Sequence, residues 1–372
     1  MHKSYKSLGL MSGTSGDGVD ASLIKSNGVD DYELIKEKYF EYEPEIYKNF
    51  HKLKESVNKY EDISKLKNHL SDLERNITIF HSKIIKEFDN SHSDFLVGFH
   101  GQTIYHNSKE KISKQLGDGR LLHQLTKKKI VYNFRKNDII NGGEGAPLTP
   151  IFHQLIVTQK KIKLPVCILN IGGISNITLI NEVTGSNNFY SEDIGPGNCL
   201  IDSWVRKNSD KKFDKNGKLA SQGKKNEIIL ENAQELYQNI QNKKLSYDVN
   251  DFDVSFARGL SLEDGTCTLT EFTADIISNE LRNSINKLNN KVKNILLCGG
   301  GRKNKILIEK IQQNLNSKFK LENIDNYGFD GDFIESQAFA FLAIRTILNL
   351  PLTFPNTTGC SKASVGGEII YT

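Results

Sequence analysis

Tyr5-Lys6-Ser7-Leu8-Gly9-Leu10-Met11-Ser12-Gly13-Thr14-Ser15-Gly16-Asp17-Gly18-Val19-Asp20-Ala21-Ser22-Leu23-Ile24 reads as two short strands, Tyr5 to Met11 and Val19 to Ile24, joined by a polar turn rich in glycine. Glycines allow close approach and positive φ, so several backbone N–H groups of the turn can point one way, while Thr14 and Ser15 add hydroxyl donors. Such a cradle, Gly13-Thr14-Ser15-Gly16-Asp17-Gly18-Val19-Asp20, suits a polyphosphate. It is not a P-loop: Val19-Asp20 stands after Gly18 where Lys-Ser or Lys-Thr is required, and a strand comes next instead of a helix. Asp17 and Asp20 would repel phosphate directly, and the natural role of a carboxylate beside a triphosphate is to hold Mg²⁺, directly or through water. An ordinary Asp-Gly hairpin turn accounts for the same residues without a ligand.

A second unit of this kind begins at Val166-Cys167-Ile168-Leu169-Asn170-Ile171, turns through Gly172-Gly173-Ile174-Ser175-Asn176 and resumes with Ile177-Thr178-Leu179-Ile180. The two turns resemble a distant internal repeat, and two facing hairpins from two domains can clamp one phosphate chain. That weighs against the bare-turn reading.

Between them, Ile63, Leu66, Leu70, Leu73, Ile77, Phe80, Ile84 and Phe88 recur at spacings of mostly three and four, which predicts one face of a long amphipathic helix packed on a core. The strand Phe95 to Phe99 then runs into His100-Gly101-Gln102-Thr103, polar residues where an open α/β sheet faces its ligand. Past residue 290 the order is strand (Asn294 to Cys298), turn (Gly299 to Asn304), and helix from about Ile306. Strands alternating with helices predict an α/β protein with largely parallel sheets. A chain of 372 residues is long for one core, so two domains with a cleft between them are expected, divided near residue 134.

Composition narrows the classes. Hydrophobic residues are 37% and charged residues 25%, ordinary for a globular protein. The net charge of +4 comes from 49 basic and 45 acidic residues spread along the chain, which argues against a dedicated nucleic-acid binder. Cys167, Cys199, Cys267, Cys298 and Cys360 are odd in number, widely separated and never in a C-x-x-C arrangement, so neither a disulfide framework nor a structural zinc site is expected. The chain reaches its glycine-rich turn too early for a signal peptide and has no apolar run of membrane-spanning length. A reducing cytoplasm fits these features.

Four more places offer chemistry. Asp193, in Asp193-Ile194-Gly195-Pro196-Gly197-Asn198, sits after a strand-like stretch at the mouth of a tight turn, where a carboxylate can deprotonate a hydroxyl or a water, or merely cap the helix that starts near Leu200. Gly299-Gly300-Gly301-Arg302-Lys303-Asn304 lacks the last glycine of a dinucleotide fingerprint; it reads as a wall for adenine and ribose, or as a helix entry without ligand. Arg135 precedes the loop Asn141-Gly142-Gly143-Glu144-Gly145-Ala146-Pro147-Leu148, where a guanidinium can hold a carboxylate bidentately or simply face solvent. Glu335 opens the apolar helix of Glu335-Ser336-Gln337-Ala338-Phe339-Ala340-Phe341, a favourable place for any acidic residue. His100 and His106 have no further ligand at metal spacing, so a tightly bound transition metal is not expected.

In order along nearly the whole chain, these motifs resemble the anhydro-N-acetylmuramic acid kinase family, a branch of the actin, sugar-kinase and Hsp70-like superfamily. They include Gly9 to Asp20, Gly98 to Thr103, Phe134 to Asp138, Gly142 to Leu148, Asn170 to Gly173, Asp193 to Asn198, Leu269 to Ala274, Cys298 to Asn304 and Glu335 to Ala340. The resemblance implies two RNase H-like domains, residues 1–134 with the first phosphate hairpin and residues 135–372 with the second, the last residues packing back on the first domain. It implies ATP with Mg²⁺, an amino-sugar substrate, and a homodimer. By the same resemblance Asp193 is the general base that activates water, and His100, Arg135, Asn198 and Glu335 hold the sugar. Gly13 to Asp20 with Gly172, Gly173 and Asn176 hold the phosphates, Asp17 meets the metal, and Gly299, Gly300, Gly301, Arg302 and Asn304 border adenosine. The chain departs from the family pattern at Ile194, where Thr is usual. It departs again at Leu245 and Val249, where the pattern Lys-Ser-x-x-Arg-x-x-Phe has basic residues, and between Lys207 and Lys225. Another carbohydrate kinase of the superfamily, or an actin- or Hsp70-like nucleotide switch, remains the alternative reading.

Overall fold

The computed structural model describes residues 3–89, 94–182, 189–240, 246–288 and 291–371. The chain divides into two compact units, one of residues 1–162, 185–190 and 332–372, the other of residues 163–184 and 191–331. No helix among the described residues is long and apolar enough to cross a membrane.

The first unit is built on β1 (Tyr5–Ser12), β2 (Gly18–Ser26), β3 (Tyr32–Glu41), β4 (Leu96–Asn107), β5 (Ile112–Leu116) and β6 (Ile130–Tyr132). The second sheet comprises β7 (Val166–Ile171), β8 (Ile174–Ile180), β9 (Phe189–Pro196), β10 (Asn294–Cys298) and β11 (Lys320–Asn323). The last strand, β12 (Glu368–Ile370), returns to pair with β6. The first sheet runs β12-β6-β4-β1-β2-β3 and the second β11-β10-β7-β8-β9. In each, a strand pairs antiparallel with its hairpin partner on one side and parallel with a later strand on the other: β1 with β2 and β4, β7 with β8 and β10. The repeat suspected from two turns is thus a repeat of wiring, the pair of RNase H-like α/β units that the family resemblance implies.

The sheets are mixed, not largely parallel. A turn of a few residues can join only antiparallel neighbours, and the β1–β2 and β7–β8 connections are that short, so the strand–helix alternation of the later segments misleads about the earlier ones. The periodic face from Ile63 to Phe88 is carried by two helices, Tyr60–Lys65 and Lys67–Phe88, because Leu66 between them leaves helical geometry at ψ 13°. Leu70, Leu73, Ile77, Phe80, Ile84 and Phe88 face the core as the spacing predicts.

Helix Ile334–Ile347 is the spine of the first unit, apolar nearly all round and buried from Ser336 to Thr346. Gly9 and Gly98 let it approach the sheet: a Cβ on Gly9 would stand 1.9 Å from the Ser336 carbonyl oxygen, and one on Gly98 2.3 Å from that of Phe339. Burial of Phe339, Phe341 and Leu342 contributes about 2 kcal/mol each.

Several imidazoles are buried in this same unit, His81, His100 and His153 among them. Burial pushes His81 down to about 4 and His153 to about 3, and burial with the nearby Arg135 guanidinium holds His100 well below its ordinary value. Each folded value is depressed, so the stability these groups carry is present above the unfolded value near 6.5 and drains away as pH falls below it. With three sites the slope reaches about 4 kcal/mol per pH unit. Thermal midpoints measured from pH 7 down to pH 4.5 should therefore fall steeply below pH 6.5, and a flat profile would mean these rings take up protons in the fold as readily as in the unfolded chain.

Candidate active site

The β1–β2 turn is tight and braced from behind. Gly16 has φ +61° and donates its N–H to the Gly13 carbonyl at 3.1 Å; a Cβ there would stand 2.1 Å from the Phe50 ring. Asp17 is anchored at both ends, its carboxylate accepting from Ser15 Oγ at 2.6 Å and its carbonyl from the Tyr42 N–H at 2.9 Å. Gln102 donates Nε2–H to the Gly13 carbonyl at 2.8 Å, while Ser12 Oγ and the buried Tyr42 hydroxyl share a 2.9 Å bond beneath the turn. Thr14, Ser15 and Asp20 are partly exposed, whereas Val19 is wholly buried and offers only main chain. Gln102, which the sequence places among ligand-facing residues, is thus a support of the turn, and Tyr42 is a second support that sequence reading did not single out.

β4 does not end at Phe99. It continues through His100 to Asn107, and its parallel register with β1 slips so that Leu10 faces Phe99 while Met11 faces Gly101. His100 is the extra residue of a β-bulge, with Gly101 at φ +76°, and a bulge re-aims a side chain. The ring donates Nδ1–H to the Gly101 carbonyl at 2.8 Å, which leaves Nε2 to accept from Arg135 Nη2 at 3.0 Å. Arg135 also donates Nη1–H to the Gly145 carbonyl at 2.7 Å. The glycine loop behind it hangs on Asp138, wholly buried, whose carboxylate accepts from the Gly145 N–H at 2.8 Å and from Thr358 Oγ1 at 2.7 Å. Glu335 sits in the first turn of helix Ile334–Ile347; burial pushes its carboxyl up and Arg135 opposes that. The first unit thus brings His100, Arg135 and Glu335 into one polar cluster.

In the second unit, Asp193 lies within β9, not beyond a strand's end, and caps no helix: the N-cap of helix Cys199–Asn208 is Asn198. Asp193 is buried, and its Oδ2 accepts from the Tyr247 N–H at 2.8 Å. Residues 197–199, just past β9, are tied to the β7–β8 turn by main-chain bonds. The Gly173 carbonyl accepts from Gly197 and Cys199 N–H at 2.8 and 3.1 Å, and the Gly172 carbonyl from Asn198 N–H at 2.8 Å. Gly197 permits this close approach, since a Cβ there would stand 2.2 Å from the Gly172 oxygen. Gly172, Gly173, Asn198 and Asp193 therefore form one construction. Asn176, near the start of β8, has a buried Oδ1 without a partner among the described residues.

Residues 299–304 form a wall held from within. Gly299, at φ +79°, donates its N–H to the Gly331 carbonyl at 2.8 Å; Gly301 packs on Ile171 too closely for a Cβ, and Gly300 faces open space. Arg302 is buried and forks onto Asp325 with Nε and Nη2, both at 2.8 Å, and onto Asp330 at 2.9 Å. The guanidinium keeps the Asp325 carboxyl below the usual carboxylate range. Asn304 caps helix Lys305–Leu315 through its Oδ1. Arg302 and Asn304 accordingly shape this loop by tying down its ends.

A sequence model of the anhydro-N-acetylmuramic acid kinase family matches residues 5–372. The chain is 54% identical to the anhydro-N-acetylmuramic acid kinase of Pelagibacter ubique (strain HTCC1062), with 100% of this chain and 99% of that one aligned. The chain belongs to the anhydro-N-acetylmuramic acid kinase family. The enzyme of the same name from Agrobacterium fabrum is 34% identical over 98% of both chains. Among solved structures, the activator of a 2-hydroxyisocaproyl-CoA dehydratase from Clostridium difficile, with bound ADPNP, aligns over 92% of this chain and 96% of that one at 11% identity and a TM-score of 0.44.

Against the pattern of the anhydro-N-acetylmuramic acid kinase family, Ile194 is buried at 3% exposure and packs in the core beside Asp193. Leu245 lies outside the described residues, and Val249 begins a short 3-10 turn capped by Asp248.

Proposed function

We propose that this chain is an ATP-dependent kinase that opens the 1,6-anhydro ring of 1,6-anhydro-N-acetylmuramic acid with water and phosphorylates it, in the recycling of peptidoglycan. The observation that carries the reading is Asp193, a buried carboxylate on a strand whose end is bonded to the Gly172–Gly173 turn. In this reaction Asp193 takes a proton from water as the water oxygen bonds to the anomeric carbon. The bond from that carbon to the bridging oxygen breaks, and the freed 6-oxygen takes the γ-phosphoryl group. N-acetylmuramic acid 6-phosphate and ADP leave, and the proton on Asp193 passes to solvent. The remaining contribution is positioning and charge stabilisation.

Gly13 to Asp20 and Gly172, Gly173 and Asn176 would meet the phosphates, with Gly299, Gly300 and Gly301 beside adenosine. The donors at the first turn are hard oxygens, chiefly the Asp17 carboxylate, which suits Mg²⁺ because that ion takes one or two carboxylates and completes its shell with water and phosphate oxygens. Mg²⁺ there would supply positive charge to the phosphate oxygens. The cytoplasm, where ATP is abundant, and a homodimer complete the proposal.

His100 and Gly145 hold the Arg135 guanidinium in one orientation, the preorganisation that a bidentate carboxylate requires. We assign it the lactyl carboxylate of the sugar, with Glu335 and Asn198 as further sugar contacts. Arg135→Lys, which loses the fork, is expected to raise KM for the sugar about tenfold or more while KM for ATP stays put, the scale of one charge-assisted hydrogen bond of ~1.5–3 kcal/mol. Unchanged sugar KM would remove Arg135 from this role.

The deciding experiment is turnover of the 1,6-anhydro sugar in ¹⁸O-labelled water, quenched before anomeric exchange, with mass spectrometry of the product. One label at the anomeric oxygen is expected. No label, or consumption of free-hydroxyl sugars only, would overturn the mechanism.

A further inference from the structure

One hydrogen bond on Asp193 comes from main chain. Tyr247 N–H donates to Oδ2 at 2.8 Å, and the segment around it is stiffened locally. Asp248 accepts from the Asn250 N–H at 3.0 Å, and the Asp248 N–H in turn donates to Asp251 Oδ2 at 2.9 Å. The Tyr247 ring packs on Phe252 at 5.5 Å, and Phe252 stacks on Tyr237 at 6.2 Å. Ser246, next to Tyr247, is buried. The donor is therefore delivered by a small folded unit.

An aspartate carboxylate turns broadly about its terminal bond, so a base that must meet one water needs its rotation set from outside. An N–H donor on one carboxylate oxygen does this. We infer that Tyr247 is a positioning residue for the reaction, its backbone N–H setting the orientation of the Asp193 carboxylate toward the attacking water. The inference rests on Asp193 as the base. It also accounts for a departure from the family pattern: Leu245 and Val249 replace basic residues on either side of Tyr247, and a main-chain donor is indifferent to such replacements.

Tyr247→Pro removes the N–H. It is expected to lower kcat about 10- to 100-fold, as misplacement of a reacting group does, while KM for ATP moves little. Tyr247→Phe keeps the N–H and loses only the hydroxyl, and should retain kcat within about threefold, inside the range of one neutral hydrogen bond. A measurement independent of turnover is amide exchange at Tyr247: in Asp193→Ala it should quicken about tenfold or more while residues 248–252 keep their protection, because Asp193 accepts from that amide whereas the amides of Asp248, Asn250, Asp251 and Phe252 bond within their own turn. Normal kcat in Tyr247→Pro, an equal fall in Tyr247→Phe, or unchanged exchange at Tyr247 would each overturn the inference. Should Tyr247→Pro not fold, the exchange measurement decides. Full turnover in Asp193→Asn would instead strike the base itself, whereas an inactive Asp193→Asn beside a normal Tyr247→Pro would strike only the positioning role.

Discussion

Asp193→Asn should lower kcat by at least about 100-fold, the contribution typical of a general base, and leave ATP binding nearly intact. The amide is the same size as the carboxylate and can still accept the Tyr247 N–H, so the local structure has little reason to change. What disappears is the proton acceptor. Binding of ATP measured by calorimetry beside single-turnover kinetics separates the two, and retention of more than about a hundredth of the activity would count against Asp193 as the base.

Gly197→Ala should do something different, reducing kcat and ATP affinity together. The added methyl would stand 2.2 Å from the Gly172 carbonyl oxygen and 3.0 Å from Ser175 Oγ. The first of these is backbone, so the turn and the end of β9 must part by most of an ångström. Displacement on that scale can cost about 100-fold in rate, whereas the overpacking itself costs about 1–3 kcal/mol of stability. The folded fraction, read from a thermal melt, should stay high while both functions fall. Normal ATP affinity in this variant would mean that the Gly172–Gly173 turn does not grip the nucleotide.

These two variants probe features of unequal legibility. The hairpins at Gly13 and Gly172 are readable because alternation and turn chemistry are local, and so are the buried face from Leu70 to Phe88 and the helix after Phe333. The bulge at His100 is not, since it arises from register against β1, some ninety positions earlier. Periodicity extends a strand only while it holds, and Gly101 hides the continuation. The interruption at Leu66 is equally silent, because an apolar residue at the right spacing looks helical whatever its ψ. Arg302 stands in the loop that the family resemblance sets against adenosine, and only the fold brings Asp325 and Asp330 onto it. Asp138 belongs to a recognisable motif, yet its grip on the glycine loop needs Thr358, 220 residues later. At His100, Arg302 and Asp138 the deciding partner is distant along the chain, whereas at Leu66 it is a backbone angle that side-chain pattern does not register.

Helix Ile334–Ile347 also sets an order of events during synthesis. Domains generally fold as units while the chain emerges from the ribosome, but this helix emerges among the last 40 or so of 372 residues, long after the strands it covers. Until then the glycine-lined groove at Gly9 and Gly98 has nothing to close it. Residues 191–331, by contrast, are complete before the helix appears. The half that begins the polypeptide is thus the half that matures last, and a truncation at residue 331 would leave an N-terminal sheet exposed to chaperones and proteases beside a finished neighbour.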